Sequence, residues 1–332
     1  MPITDKQKKL LALLANGEFH SGEELAETLG LSRSAIWKQL NGLTELGLHY
    51  TGISGRGYRL NKRLELLDHA KITAALDDSS RAHIFLLEVH DQLDSTNSYL
   101  SQKSQQGDAS GIVCFAEHQT AGKGRRGRDW VSPFGSNIYL SILWRFPESG
   151  LGEIAGLSLA IGVAVIRALN QLEIEGIELK WPNDLYSQGK KLGGILIEVS
   201  GEASGPCSAV IGLGLNVHLP ATEAEKITQP WTDLGRLPGS KKICRNTLAA
   251  TLLNHLIPVI ADFETAGIAA YLDEWRTLDS LKGKPACLYI GNQTIEGIVQ
   301  GIDDKGLLLL QHADGLTQAY ASGEVSFHNA TL

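Results

Sequence analysis

Leucines recur at helical spacing through the first forty residues, and shorter alternating runs then take over. Leu10, Leu11, Leu13 and Leu14 predict a short inward-facing helix over residues 8–15, closed by Asn16-Gly17. Ser21, with Glu24 three residues on, reads as a capping box for a second helix that buries Leu25 and Leu29. After Gly30-Leu31-Ser32 a third helix starts from a Ser32 cap, and Ile36, Leu40 and Leu43 at i, i+4, i+7 form its inner stripe. Two helices across a three-residue glycine turn are a helix-turn-helix signal. Residues 48–53 and 58–60 follow as two strands around Ser54-Gly55-Arg56-Gly57, a wing with Arg56 at its tip. The DNA-contact set is then Ser21, Ser32, Arg33, Ser34, Trp37, Lys38, Asn41 and Arg56. Trp37 is the odd member, because a polar residue is expected on that face.

Residues 61–67 are a polar connection, and from about residue 84 strands alternate with helices. Strands are predicted over 85–89, 112–117, 137–144, 179–184, 191–199 and 209–216, with the fourth stopped by Pro182. Helices are predicted from Ser98 to Lys103 and from Ile154 to Leu172, and another ends near Trp275. Ser95, Thr96 and Asn97 fall at a helix start, where they cap it or hold a neutral polar ligand group. After residue 284, short strands over 286–289, 293–300, 306–311, 317–320 and 324–327, with turns at Gly291-Asn292 and Asp314-Gly315, read as a small SH3-like β-barrel. The fold class is thus multidomain α+β: a winged helix-turn-helix over 1–62, a central mixed α/β domain over 63–279, and the barrel over 280–332.

Charge narrows the partners. The net charge is −7, yet residues 1–60 carry seven Lys/Arg against six Asp/Glu, so the acidic excess lies outside the helix-turn-helix. A DNA contact must be local to that segment, with few phosphates per subunit, which favours a dimer on a two-fold site. The four cysteines are scattered without a Cys-x-x-Cys pair, which supports neither a disulfide framework nor a zinc site. No signal-peptide pattern opens the chain, and the apolar run from Ile154 to Ile166 is too short to span a bilayer, so the expected location is the cytoplasm. His118 and His218 have no metal-ligand spacing and read as structural.

One stretch stands out within the central domain. Gly122-Lys123-Gly124-Arg125-Arg126-Gly127-Arg128 packs four cations and three glycines into seven residues, and Trp130 follows closely. Glycines admit close backbone approach, and arginines offer a planar fork to phosphate or carboxylate. The Walker A spacing is absent. Composition alone leaves an anion-wrapping loop and a nucleic-acid patch equally open.

This loop, Asp94-Ser95-Thr96-Asn97, Lys180-Trp181-Pro182-Asn183-Asp184, Lys191-Leu192-Gly193-Gly194-Ile195 and Gly212-Leu213-Gly214-Leu215-Asn216 together resemble the biotin–protein ligases, over essentially the whole chain. With a winged helix in front, the chain is similar to the bifunctional bacterial form. That resemblance implies activation of biotin with ATP and Mg2+ to biotinyl-5′-AMP. It then implies transfer to a lysine of the biotin carboxyl carrier protein of acetyl-CoA carboxylase. It also implies repression of the biotin operon through operator DNA, with biotinyl-5′-AMP as corepressor and promoter of a homodimer. It places Ser95, Thr96, Asn97, Gln119, Gly122, Lys123, Gly124, Arg125, Lys191, Gly194 and Gly212 around biotin. Around ATP or the adenylate it places Arg125, Arg126, Arg128, Trp130, Asn183, Lys191, Asn216 and Trp231, the last as a stacking partner from the 220–231 loop. Lys191, Arg125 and Asp184 are the implied catalytic residues, with no metal held by the protein itself. Taken singly, Lys191 and Lys180 read as surface charges. Lys123 departs from the family's usual arginine and loses the planar fork. A lipoate- or octanoyl-type ligase, and a repressor with an inactive ligase domain, are the competing readings.

Overall fold

The computed structural model describes residues 3–107, 109–201, 205–238 and 243–327. At the N-terminus, α1 (Asp5–Leu14), α2 (Gly22–Leu29) and α3 (Arg33–Thr44) pack around a leucine core, followed by the wing strands β1 (Tyr50–Ile53) and β2 (Gly57–Leu60). Helix α1 starts three residues before the expected point, because Thr4 and Gln7 form a reciprocal capping box. Ser21 and Ser32 cap α2 and α3, accepting from the Glu24 and Ala35 amides. Gly30 ends α2 in the left-handed conformation (φ 62°) that glycine adopts without penalty. Leu10, Leu11, Leu14, Leu25, Ile36, Leu40, Leu43 and Leu60 are buried here, joined by Phe134 from the central domain. Leu13 and Leu29, expected inward, are only half-buried.

The central domain contributes α4 (His69–Ala74), α5 (Asp78–His83), β3 (Leu86–His90), α6 (Thr96–Gln105), β4 (Ile112–Ala116), β5 (Ile138–Phe146), α7 (Leu157–Gln171), β6 (Glu178–Lys180), β7 (Asp184–Ser187), β8 (Lys190–Gly201), β9 (Cys207–Leu215), α8 (Ala221–Ala224), α9 (Arg245–Ala266) and α10 (Ala269–Thr277). Its seven strands form one mixed sheet in the order β3-β4-β5-β9-β8-β7-β6, in which β3 and β4 alone are parallel. The expected strand over 179–184 is instead a hairpin. β6 stops at Lys180 and β7 starts at Asp184, since Pro182 has no N–H for the ladder and the chain turns through Trp181-Pro182-Asn183. Trp181 is buried, and its indole N–H donates to the Gly306 carbonyl at 3.0 Å.

The period-2 pleat gives the sheet two unlike faces. Val113, Phe115, Ile138, Leu140, Ile142, Ile211 and Leu213 join α7 and α9 in the main core. The intervening residues Ile112, Cys114, Leu143 and Val210 meet Leu100 of α6 in a smaller cluster. Beside that cluster the same face carries small and polar residues. After α10, strands β10 (Pro285–Ile290), β11 (Gln293–Ile302), β12 (Leu308–Gln311), β13 (Thr317–Tyr320) and β14 (Glu324–Phe327) form an antiparallel sheet in the order β13-β12-β11-β10-β14. No described helix is long and apolar enough to cross a membrane.

Candidate active site

Strand register builds the floor of the site. One row of facing positions runs Leu196–Gly212–Ser141–Cys114 across β8, β9, β5 and β4. The next runs Lys180–Asp184–Gly194–Gly214–Tyr139 across β6, β7, β8, β9 and β5. Each row has glycine near its middle, so the sheet has a trough where two larger groups settle. The Asn97 amide lies over Gly212, where an added methyl group would overlap it. The Trp130 ring lies over Gly214, where an added methyl would sit 2.5 Å from the indole.

At one end the start of α6 makes a buried polar cluster. Ser95 caps the helix, and the Thr96 amide and hydroxyl reach Gln119 Oε1 at 2.9 and 3.1 Å. Gln119 Nε2 donates to Ser132 Oγ at 3.0 Å. Ser141 Oγ lies 2.7 Å from Thr96 Oγ1 and 2.6 Å from Asn97 Oδ1, and Asn97 Nδ2 donates to Glu198 at 2.8 Å. Ser95, Thr96, Asn97, Gln119 and Ser141 are all buried. The cluster therefore offers oriented donors and acceptors in a dry setting, suited to a neutral polar group.

At the other end the setting is cationic. Lys191 Nζ pairs with Asp184 Oδ1 at 2.9 Å, with both side chains mostly shielded from solvent, and stands 5.7 Å from the Trp130 ring centre. The basic loop folds back on itself as a narrow hairpin: the Trp130 amide donates to the Gly122 carbonyl at 2.8 Å, and that of Gly124 to Arg128 at 2.7 Å. Gly122 is buried at the neck, where a side chain would meet Trp130, Ser132 and Gln119. Each arginine then reaches a separate element. Arg125 donates to Asn183 Oδ1 at 2.9 Å and to the Gly323 carbonyl at 3.3 Å. Arg126 donates to the Tyr289 carbonyl at 3.1 Å, and Arg128 pairs with Glu324. Burial lowers the Arg125 pKa from its ordinary value. Burial alone would raise the Glu324 carboxyl, but the Arg128 hydrogen bond and the charges of Arg128, Lys180 and Arg126 together hold it below the usual range.

Of the residues singled out from sequence, Ser95, Thr96, Asn97, Gln119, Lys123, Gly124, Arg125, Arg126, Arg128, Trp130, Asn183, Asp184, Lys191, Gly194 and Gly212 line a single cavity. Gly122, Asn216 and Trp231 do not. Asn216 is buried and donates to the Thr232 carbonyl at 3.1 Å. Trp231 bridges to Lys191 through its backbone, and one face of its ring is covered by Arg236 at 4.0 Å. Lys180 is no surface charge: it is buried, 3.2 Å from the Tyr186 hydroxyl, with its ammonium over the rings of Tyr186 and Phe327. The lining also includes Tyr139, Gln229 and Glu324, which the motifs did not give. Ser141, which joins the polar cluster without lining the cavity, had a visible signal as the lone serine in the run 138–144; Glu324 had none, since a fold contact brings it in. Among the described residues no group of three or more His, Cys, Asp and Glu side chains converges. His118 Nδ1 donates to the Ser132 carbonyl at 2.7 Å, and burial lowers its pKa.

Comparison with known proteins gives three family matches in chain order: an HTH domain over residues 6–59, the biotin/lipoate A/B protein ligase family over 89–216, and a biotin protein ligase C terminal domain over 286–328. The chain is 44% identical to the bifunctional ligase/repressor BirA of Escherichia coli (strain K12) over 97% of each chain. It is 30% identical to the protein of the same description from Bacillus subtilis (strain 168), covering 95% of this chain and 97% of that one. Among solved structures, a biotin protein ligase from Aquifex aeolicus in complex with biotin and ATP matches with a TM-score of 0.61 and 25% identity, covering 73% of this chain and 98% of that one.

Proposed function

The chain belongs to the family of bifunctional biotin ligase/repressors, and from that premise we propose how its own residues divide the work. It is a biotin–protein ligase that joins biotin and ATP to give biotinyl-5′-AMP and pyrophosphate, then passes biotin to a lysine of the carboxyl carrier protein. With the adenylate bound it represses through operator DNA. The observation that carries the ligase reading is the single cavity with a neutral polar cluster at one end and Lys191 with Arg125 at the other.

Biotin's uncharged ring sits against Thr96, Asn97, Gln119 and Ser141, where buried donors and acceptors are already aimed. Its carboxylate then points along the Gly212–Gly214 trough toward Lys191. Lys191 exchanges Asp184 for the reacting oxygens, and its ammonium offsets the negative charge that builds as the carboxylate oxygen bonds to the α-phosphorus and pyrophosphate leaves. Arg125, already partly desolvated, holds the phosphate from the loop side. Trp130, whose indole N–H has no partner among the described residues, closes the trough over the mixed anhydride and keeps water away. In the second step Asp184, released from Lys191, accepts the proton as the carrier amine attacks the carbonyl and AMP departs. Asn183 keeps Arg125 in place through its 2.9 Å hydrogen bond.

Mg2+ would enter with ATP and supply countercharge to its phosphates. The protein works in the cytoplasm, and the adenylate-bound form is a homodimer, because the modest charge of the head makes one wing a weak DNA ligand. Incubation with ATP, labelled biotin or lipoate, and the carrier domain of acetyl-CoA carboxylase tests the assignment. Transfer of biotin alone is expected; transfer of lipoate alone refutes it.

A further inference from the structure

Trp37 is the residue that the functional assignment leaves unexplained. It lies on α3 beside the buried stripe of Ile36, Leu40 and Leu43, and is 58% exposed. Its indole packs against no second ring and covers no cation within α3 or the wing. On the same helix Arg33, Ser34 and Lys38 are exposed around it, with Arg33 in a solvent-exposed pair with Glu23 of α2 at 3.1 Å that a phosphate can replace. Asn41 is drawn to the wing instead, with its Oδ1 accepting from the Tyr50 hydroxyl at 2.9 Å. The wing arginines Arg56 and Arg59 both lie on the Phe19 ring, at 4.5 and 4.7 Å, so their positions are held rather than free. The result is a flat apolar group among cations on the helix that enters DNA.

A tryptophan there does not use the bidentate amide pairing with adenine that an asparagine or glutamine makes. In the major groove the only apolar feature of a base edge is the C5-methyl group of thymine. We propose that Trp37 reads a thymine methyl in each half of the operator and so sets this chain's sequence preference. The surrounding Arg33 and Lys38 supply phosphate contacts that position the helix, and the Trp37 contact distinguishes thymine from cytosine, which lacks the methyl. This rests on the reading of the chain as a DNA-binding repressor.

The test uses the full-length protein with biotinyl-5′-AMP. Duplexes are first selected from a random-sequence pool, and each thymine of the selected site is then replaced in turn by deoxyuridine, which deletes only the methyl. Wild type is expected to lose affinity about fourfold per methyl at one position in each half-site, with flat responses elsewhere. Trp37→Ala and Trp37→Asn are expected to lose that sensitivity, and Trp37→Asn to select adenine there. Both variants should keep wild-type rates of biotin transfer and the wild-type circular-dichroism spectrum and thermal unfolding profile, the latter reporting that the head is folded. A uridine scan that is flat for wild type, or unchanged in Trp37→Ala, overturns the contact while leaving the repressor reading intact. If Trp37→Ala alters sedimentation of the adenylate-bound protein but not the scan, Trp37 faces a second copy of the chain and the proposal fails. If wild type enriches no duplex at all, the repressor reading itself falls with it.

Discussion

Asp184 stands between two lysines of different character. Lys191 is reachable from the cavity and pairs with it at 2.9 Å, whereas Lys180 is its register partner from β6 and is buried behind it. Replacing Lys191 by alanine removes the cation proposed to meet the α-phosphate, and pyrophosphate release should fall by at least roughly 10²-fold, the order seen on loss of a transition-state donor. Near-normal release in an ATP-dependent pyrophosphate assay would sink this role. Lys180 acts from further back. Burial lowers its pKa; Asp184 and Glu324 pull it up, and Lys191 and Arg128 push it down. When Lys191 and Arg128 turn toward phosphate, Lys180 is the remaining cation beside the two carboxylates they leave. Because its folded pKa is depressed, the folded protein loses this proton at a lower pH than the unfolded chain does. Fold stability therefore rises as pH increases between the folded and unfolded values, while the countercharge is lost. The adenylation rate should accordingly decline on the alkaline side at a pH below the ordinary lysine range. Lys180→Arg, which stays charged, should move that decline to higher pH. Identical pH–rate profiles for the two proteins would remove Lys180 from the account.

At the scale of elements, the basic loop is held by what it touches. Arg125, Arg126 and Arg128 reach Asn183, Tyr289 and Glu324, so the C-terminal sheet keeps the loop over the cavity. Glu324→Gln weakens one of these holds and should raise the rate at which preformed adenylate escapes and hydrolyses, and Arg125→Gly should raise it further. Single-turnover assays with labelled ATP would show this as free AMP appearing without carrier; unchanged retention in both variants would count against the loop as a lid. The Glu324 carboxylate is held below its usual pKa, so this clasp is present above the ordinary glutamate range and is lost as pH falls through the folded value. The loop was legible because its glycines and cations are contiguous. Its clasp was not, because Glu324 lies almost two hundred residues away and only tertiary contact joins them. The head was legible for a similar reason: its stripe of leucines and its serine caps are local signals. Helix α9 was not, since thirteen of its 22 residues are buried and Pro258 interrupts it, so no single stripe stands out. Nor could local pattern show that Arg245 at its start lies 2.8 Å from the buried Glu117 at the end of β4. Glu117→Ala leaves that arginine's charge uncompensated, and should cost about 3–5 kcal/mol in denaturant unfolding.

For the molecule as a whole, the question is how a filled cavity is felt by a DNA-binding head. One stretch of five residues, 130–134, joins the cavity to the core of the head. Trp130 lies over the trough at Gly214, Ser132 accepts from Gln119 in the polar cluster, and Phe134 is buried in the same core cluster as Leu10 and Leu60 of the head. A shift of Trp130 or Ser132 on ligand binding is therefore passed straight to a residue that the head packs around. Around this junction Lys62 Nζ lies 3.2 Å from His218, and Lys8 pairs with Asp91 at 2.9 Å, but these exposed contacts are weak beside a buried phenyl ring. Phe134→Ala should cost about 3–5 kcal/mol of packing, taken from the head's core rather than from the main core of the ligase domain. Biotin transfer to the carrier should persist, while the gain in operator affinity on adding biotinyl-5′-AMP should shrink by at least about tenfold, a loss of 1.4 kcal/mol or more in coupling. Operator titrations with and without the adenylate, run beside a transfer assay on the same preparation, measure both quantities. An undiminished adenylate effect in Phe134→Ala would mean that the signal reaches the head by dimer formation alone, which sedimentation of the same variant would register as unchanged self-association.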